Sequence, residues 1–446
     1  MIKTTANQTV TQLLSNAKEA QAIYRTFTQE QVDKIVQTVS VQLSAVAAEL
    51  AEVAHLETGF GNIADKIIKN KFAAEAVYSS IKAVATVGEI ARDEKAKTID
   101  IAIPMGIIAG LIPSTNPTST VIYKALIALK TRNAMIFSPH PKALQAIIKA
   151  THYVERAAVS AGAPAGLIQV ISEPSIAATT ELMRAPETAL ILATGGEAMV
   201  KAAYQSGTPA IGVGQGNAPA YIEQSANVTT AVATIIRSKT FDYGTICASE
   251  QSIVVDKAIK SAVLTELQKQ GAYILTRSQA HQLARFIMKE TGGMNPAFVG
   301  QPVATIARLS GLTIPVGTKV LVSEERIETI GKNAYSCEKL MPVLGMYTVN
   351  SWEEGVATCN ALLGNEGAGH TAILHSTNEA YILDFGLQID ASRILINTFG
   401  SLGAIGASTS LLPSLTLGCG AVGGSSTTDN VSVMNLLNIK RLAYGQ

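Results

Sequence analysis

An α/β fold built on parallel sheets is what this sequence predicts, on three observations. From residue 106 onward, short apolar runs alternate with longer amphipathic ones, the pattern of strands joined by crossover helices. The strand-like runs carry no charge on either face, as strands covered by helices on both sides require. The chain has 446 residues, more than one ordinary core organises, so two or three domains are expected.

The elements follow in order. The first eighty residues read as helices: Leu13, Ala17, Ala20 and Tyr24 recur at helical spacing. Thr28 and Gln31 have capping-box chemistry ahead of Val32, Ile35 and Val39. Segments 85–92 and 97–103 read as strands around the turn Asp93-Glu94-Lys95, a hairpin projecting from the body. Strand Ile107–Ile112, helix 118–131, strand 134–137 and helix 143–161 come next. Strand 167–171, helix 177–184 and strand 189–193 complete that unit. A second unit begins near 240, with strands at 251–255, 319–322, 343–348 and 394–397 and helices near 257–270, 277–289 and 352–362. Segment 436–444 reads as a strand returning to the hairpin or to a neighbouring subunit.

Composition excludes several function classes. Charged residues make up 15% of the chain and hydrophobic ones 47%, against about 25% charged in typical soluble domains. So little charge points to a large subunit interface. A net charge of +1, with 35 basic and 34 acidic residues spread without blocks, argues against nucleic-acid binding and against a polybasic membrane patch. Segment 105–123 is broken by Pro113 and Pro117, and 398–428 by glycine and serine, so neither reads as a membrane span. Four cysteines form no disulfide framework, and the start Met1-Ile2-Lys3-Thr4-Thr5 lacks the features of a signal peptide. A soluble, cytoplasmic protein is expected.

Four motifs carry chemistry. Cys247, in Phe241-Asp242-Tyr243-Gly244-Thr245-Ile246-Cys247, has no second cysteine at CxxC spacing. It is either a buried structural thiol or a nucleophile, depending on its surroundings. Thr194-Gly195-Gly196 lies between a strand and a helix, where glycines let a phosphate approach backbone N–H groups. Gly212-Val213-Gly214-Gln215-Gly216 is a second glycine-rich loop. Asn116, just past a strand end and before Pro117, is either turn chemistry or an amide donor to an oxyanion. His370 follows glycines in a predicted loop, and its spacing from His375 makes a poor metal site; no metal is expected.

Several runs then fall into one family's order: TQEQVDK at 28–34, NPTST at 116–120, LKTRNAMIFSPHP at 129–141 and LATGGEAMVKAAY at 192–204. ICASEQS at 246–252, FVGQP at 298–302, GHT at 369–371, RILINT at 393–398 and PSLTLGCG at 413–420 complete the set. Together they resemble the aldehyde dehydrogenase superfamily, in particular its CoA-acylating branch, as in the aldehyde dehydrogenase half of bifunctional aldehyde–alcohol dehydrogenases. The resemblance implies a Rossmann-like cofactor domain (1–84 and 104–239), an α/β catalytic domain (240–428) and a β oligomerisation arm (85–103 and 429–446). It implies NAD as cofactor, coenzyme A as co-substrate and a small aldehyde as substrate, in a homodimer or homotetramer. No iron-dependent alcohol dehydrogenase half is expected.

Carried over residue by residue, Cys247 matches the nucleophile and Asn116 the oxyanion-hole amide. Thr194, Gly195 and Gly196 match the pyrophosphate turn, Glu338 the acid that holds the nicotinamide ribose, and His370 a histidine assisting CoA-dependent turnover. Hydrolytic relatives carry a water-activating Glu where Val213, beside Gly214, stands here. They also carry Lys-Pro-x-Glu, which grips the adenosine ribose, where Ser138-Pro139-His140-Pro141 stands. Pro139 and His140 therefore replace that grip in a groove shared by cofactor and CoA. Tyr243 replaces an Asn usual in the branch. Acetaldehyde is the expected substrate, with propionaldehyde, succinate semialdehyde and a sulfonated aldehyde as alternatives. The remaining reading is an inactive scaffold. The protein acts in the cytoplasm, free or inside a microcompartment.

Overall fold

A computed structural model describes residues 9–289 and 293–445. Met1–Thr5, the start judged free of a signal, and Gln446, the end of the expected arm, lie outside the described residues.

Helices open the chain. Thr28 caps Gln29–Ala45 through a complete capping box with Gln31, and Val32, Ile35, Val36 and Val39 turn inward at helical spacing. The chain then enters a parallel sheet of five strands in the spatial order Ile168–Val170, Ala134–Pro139, Ile107–Ile112, Thr188–Thr194, Ala210–Val213. In chain order this is 3-2-1-4-5, a doubly wound arrangement that reverses between Ile107–Ile112 and Thr188–Thr194. Crossovers leave those two strands in opposite directions, so a crevice opens beyond their carboxyl ends. Every residue of Ile107–Ile112 and of the following helix Pro117–Lys130 is buried. Within that helix, the Lys124 ammonium donates to the carbonyls of Leu111 and Leu192, tying helix to sheet.

A second parallel sheet has seven strands, ordered Ala272–Ile274, Val320–Glu325, Val343–Val349, Glu250–Asp256, Ala218–Ile222, Gly369–His375, Ala391–Ile396. Three of these strands were not expected, the short edge strand Ala272–Ile274 and two interior ones. Ala218–Ile222 belongs to this sheet, so the chain crosses from the first sheet to the second between Val213 and Ala218, well before the division expected at 239/240. Residues 369–375 form a fully buried strand where a loop was expected. Both strands are rich in Gly, Ala, Pro or His, weak strand formers whose conformation is imposed by paired neighbours on both sides.

A third, antiparallel sheet of three strands stands apart: Gly88–Asp93, Thr98–Pro104 and Leu437–Ala443. The last strand returns to the hairpin of its own chain. Asn133 joins the sheet to the body, its Oδ1 accepting from Gly106 N at 2.9 Å and its Nδ2 donating to Leu436 O at 2.8 Å. Among the described residues no single helix is long and apolar enough to cross a membrane.

Asn133→Ala leaves a backbone donor and a backbone acceptor without partners. The expected loss is about 2–3 kcal/mol, read from the urea midpoint at unchanged m-value. A loss under about 0.5 kcal/mol would show that water replaces the amide.

Candidate active site

The carboxyl ends of the first sheet face the amino ends of strands in the second. Between them lies a cavity of about 620 Å³, within the range of small-molecule and cofactor sites. The first sheet contributes Pro113–Asn116 from one strand end and Thr194–Gly196 from the other, the two flanking the reversal point. The second contributes Cys247, ahead of Glu250–Asp256, and Glu338, ahead of Val343–Val349. His140, Val213 and Gly214 also line the wall.

Cys247 follows an unusual turn. Asp242, Tyr243 and Gly244 take φ values of +46°, +51° and +76°, and the first two are residues for which left-handed backbone is costly. A buried charge cluster holds this turn. The Asp242 carboxylate accepts from Lys66 Nζ at 3.0 Å, from Lys69 Nζ, from Thr245 Oγ1 at 2.6 Å and from Asn62 N at 2.8 Å. Burial works to raise the Asp242 pKa, but Lys69 and Lys66 outweigh it and hold the carboxyl below its ordinary value. Lys69 is pulled down to about 8 by burial, with Asp242 opposing the shift.

Cys247 is partly exposed to the cavity. Its thiol is pushed up to about 12, first by burial and then by Glu338 and Cys419, with Arg393 opposing. Asn116 caps Pro117–Lys130 but makes no side-chain capping bond. Its amide instead donates to Thr245 O at 3.4 Å and Thr115 Oγ1 at 3.2 Å, and accepts from Lys69 Nζ at 2.5 Å.

Gly216 connects three of the expected residues. Its N–H donates to Glu338 Oε1 at 3.0 Å. A Cβ there would lie 2.1 Å from the Cys247 carbonyl oxygen and 3.3 Å from His370 Cε1. Only glycine allows that approach. Glu338 rises to about 8, chiefly through burial, with Glu366 adding to the shift and the Gly216 N–H opposing it.

The remaining expected residues are distributed unevenly. Gly196 caps helix Glu197–Gln205 without a side chain, and a Cβ on Gly196 or Gly214 would meet no protein atom within 4 Å. Both backbones therefore face open cavity, and the helix N-terminus offers free N–H groups to a phosphate. This fits a dinucleotide. Pro139 ends its strand, buried, and is not on the cavity wall, whereas His140 is. His370 is also off the wall: it is fully buried behind Gly216, its Nδ1 near Thr371 Oγ1 at 2.9 Å and its Nε2 without a partner. Burial, then Arg393, lowers it to about 3, so the imidazole is neutral. Among the described residues no group of three or more His, Cys, Asp or Glu is placed to hold a metal.

Lys69, Asp242 and Gly216 escaped the sequence reading. Lys66 and Lys69 are about one helical turn apart in Ile63–Lys71, and both are buried; two lysines recurring at that spacing on one helix were the available signal.

Residues 1–278 match the aldehyde dehydrogenase family. The chain is 45% identical over 436 residues to the bifunctional aldehyde-alcohol dehydrogenase of Escherichia coli K12, covering 97% of this chain but 49% of that protein. The chain thus spans about half the length of that relative. It is 37% identical to an acylating sulfoacetaldehyde dehydrogenase of Bilophila wadsworthia, covering 97% of this chain and 94% of that one. The structure of an acetylating aldehyde dehydrogenase from Geobacillus thermoglucosidasius superposes with a TM-score of 0.96 at 50% identity, covering 98% of this chain and 96% of that one. The cavity, with its reversal-point glycines, belongs to a nucleotide-binding α/β protein, and the chain is a member of the aldehyde dehydrogenase family.

Two outcomes are expected. Glu338 has a folded-state pKa of about 8, above its unfolded value, so its protonation stabilises the fold at low pH and that contribution is lost as pH rises through 8. Glu338→Gln keeps an acceptor for Gly216, and its urea midpoint relative to wild type should climb between pH 5 and pH 9. A pH-independent difference would contradict the assignment. Asp242→Asn leaves two buried ammonium groups without their anion and should cost about 3–5 kcal/mol by the same measurement, whereas a loss below about 1 kcal/mol would mean the cluster is dispensable.

Proposed function

We propose that this protein is a CoA-acylating aldehyde dehydrogenase, converting an aldehyde, CoA and NAD⁺ to acyl-CoA and NADH, reversibly, through a thioester on Cys247. The observation that carries this reading is the cavity wall itself. Cys247, the Asn116 amide, Glu338 and the open backbone at Gly196 share one space, and Val213 rather than a carboxylate stands on the glycine-rich loop beside them.

Cys247 loses its thiol proton to water in the cavity and attacks the carbonyl carbon as thiolate. The oxyanion is held by Asn116 Nδ2 and the Cys247 N–H. Gly195 and Gly196 would hold the pyrophosphate and Glu338 the nicotinamide ribose of NAD⁺, which would supply the hydride acceptor. The resulting thioester meets no base that activates water and persists until the CoA thiol displaces Cys247, which leaves as thiolate. His370 is assigned to this second half. Its ring is neutral and its Nε2 has no partner, so it takes up the CoA proton only once the burial that lowers it to about 3 is relieved by a shift toward the cavity. Acetaldehyde is the first substrate, and the full-length sulfoacetaldehyde-acting relative makes a sulfonated aldehyde the second.

The third sheet leaves strand Leu437–Ala443 as an open edge carrying exposed Ile439 and Leu442, which supports a homodimer or homotetramer. Cys247, Cys337, Cys359 and Cys419 are free thiols, which supports a cytoplasmic setting, in open solution or within a microcompartment.

Purified protein with NAD⁺ and acetaldehyde should form NADH continuously only when CoA is present. Equal turnover without CoA would make water the acceptor and remove the acylating reading. Cys247→Ala should abolish turnover while retaining cofactor binding, and Asn116→Ala should slow it about 10²–10³-fold. His370→Ala should slow thioester release by CoA more than hydride transfer, as single-turnover traces resolve.

A further inference from the structure

Asn116 would seldom hold one orientation unaided. Its amide sits at the N-cap of a helix yet makes no capping bond, so the helix does not orient it. The fixing contact comes from another element. Lys69, on helix Ile63–Lys71, is buried, lines the cavity and places its ammonium 2.5 Å from Asn116 Oδ1. An ammonium group only donates, so the amide oxygen must face it and the amide nitrogen must face away. With Oδ1 so held, Nδ2 reaches Thr245 O at 3.4 Å, two residues before Cys247, and Thr115 Oγ1 at 3.2 Å.

We propose that Lys69 is a positioning residue for the oxyanion amide, holding Asn116 Oδ1 so that Nδ2 is presented to the carbonyl oxygen of a substrate on Cys247. The role rests on the reading of Asn116 and Cys247 given above. Lys69 has three N–H donors and three acceptors: Asn116 Oδ1, Asp242 Oδ2 and Thr245 Oγ1 at 2.9 Å. Two of these belong to the turn that carries the nucleophile, so one ammonium sets the amide and the Cys247 backbone in a common frame. Charge balance alone does not require Lys69, because Lys66 independently contacts Asp242 at 3.0 Å. Lys69 adds to the structural hold on Asp242 a contact that Lys66 does not make, the one to Asn116 Oδ1.

The test is a double-mutant cycle read in the first turnover of NADH formation from acetaldehyde and NAD⁺ without CoA. Lys69→Met should slow that step about 10–100-fold, with the KM for NAD⁺ nearly unchanged, because substrate geometry rather than cofactor binding is lost. In an Asn116→Ala background the same substitution should cost less than about 3-fold, since residues acting as one unit are not additive. Lys69→Gln retains a donor for Oδ1 and should recover most of the rate. Additive costs, or a folded Lys69→Gln as slow as Lys69→Met, would overturn the role. If Lys69→Met is not recovered folded, Lys69→Gln decides alone: a rate near wild type supports the proposal, and one as low as Asn116→Ala rejects it. Wild-type protein that forms no NADH from any aldehyde would remove the enzymatic reading and this role with it. Active wild type with an additive cycle removes the role only.

Discussion

A carboxylate removed from water, Asp242, holds the cavity in its shape. It sits in a turn whose backbone takes left-handed angles at two successive non-glycine residues, each costing on the order of 1–3 kcal/mol. A turn of that kind persists only when its surroundings over-determine it. Here two lysines, a threonine hydroxyl and a backbone N–H converge on one carboxylate. Gly61 completes the fit, since any Cβ there would lie 1.8 Å from Asp242 Oδ1. The helix bearing Lys66 and Lys69 is thereby fastened to the segment bearing Cys247, and Asn116 is fastened to both.

The same site is assembled from two sheets whose polarity matters. Loops at the carboxyl ends of the first sheet bring glycine backbone and the Asn116 amide, groups suited to phosphate and oxyanion. Loops at the amino ends of the second bring a thiol and a carboxyl. Gly216 packs between them, with the Cys247 carbonyl and the buried His370 ring both so near its Cα that only glycine fits. A second polar network holds the Glu338 segment: Gln251 Oε1 accepts from Lys239 Nζ and from Lys339 N, both at 2.8 Å, and Lys339 Nζ donates to the Tyr335 and Cys337 carbonyls.

These arrangements place ionisable groups where water cannot reach them. Burial raises Glu250 to about 7 and Glu338 to about 8, and lowers Lys339 to about 8 and Lys239 well below its ordinary value. A fold selected for stability alone would fill such positions with apolar side chains of similar volume. Of these four, Glu338 lines the cavity, and a strongly perturbed carboxyl there is a mark of a candidate functional site.

The sequence by itself determined the local part of this structure. Alternating apolar runs marked Ile107–Ile112 and the helices about it, because burial on both faces forces a continuous hydrophobic run. The capping box at Thr28 was legible because both its bonds lie within four residues. Sequence motifs also carried family membership, and the structure brings Cys247, Asn116 and Gly196 to one cavity. Only the tertiary structure decided what meets. Lys69 contacts residues 47 and 173 positions away, and no periodicity within one helix announces such a partner. His370 looked like a loop residue because glycines precede it, yet paired strands on both sides make it the start of a buried strand. Ala218–Ile222 lacks a strand-forming composition and is extended because its neighbours are. The physical reason is common to all three: these positions are set by contacts between distant segments, whose free energy appears only once both sheets have formed.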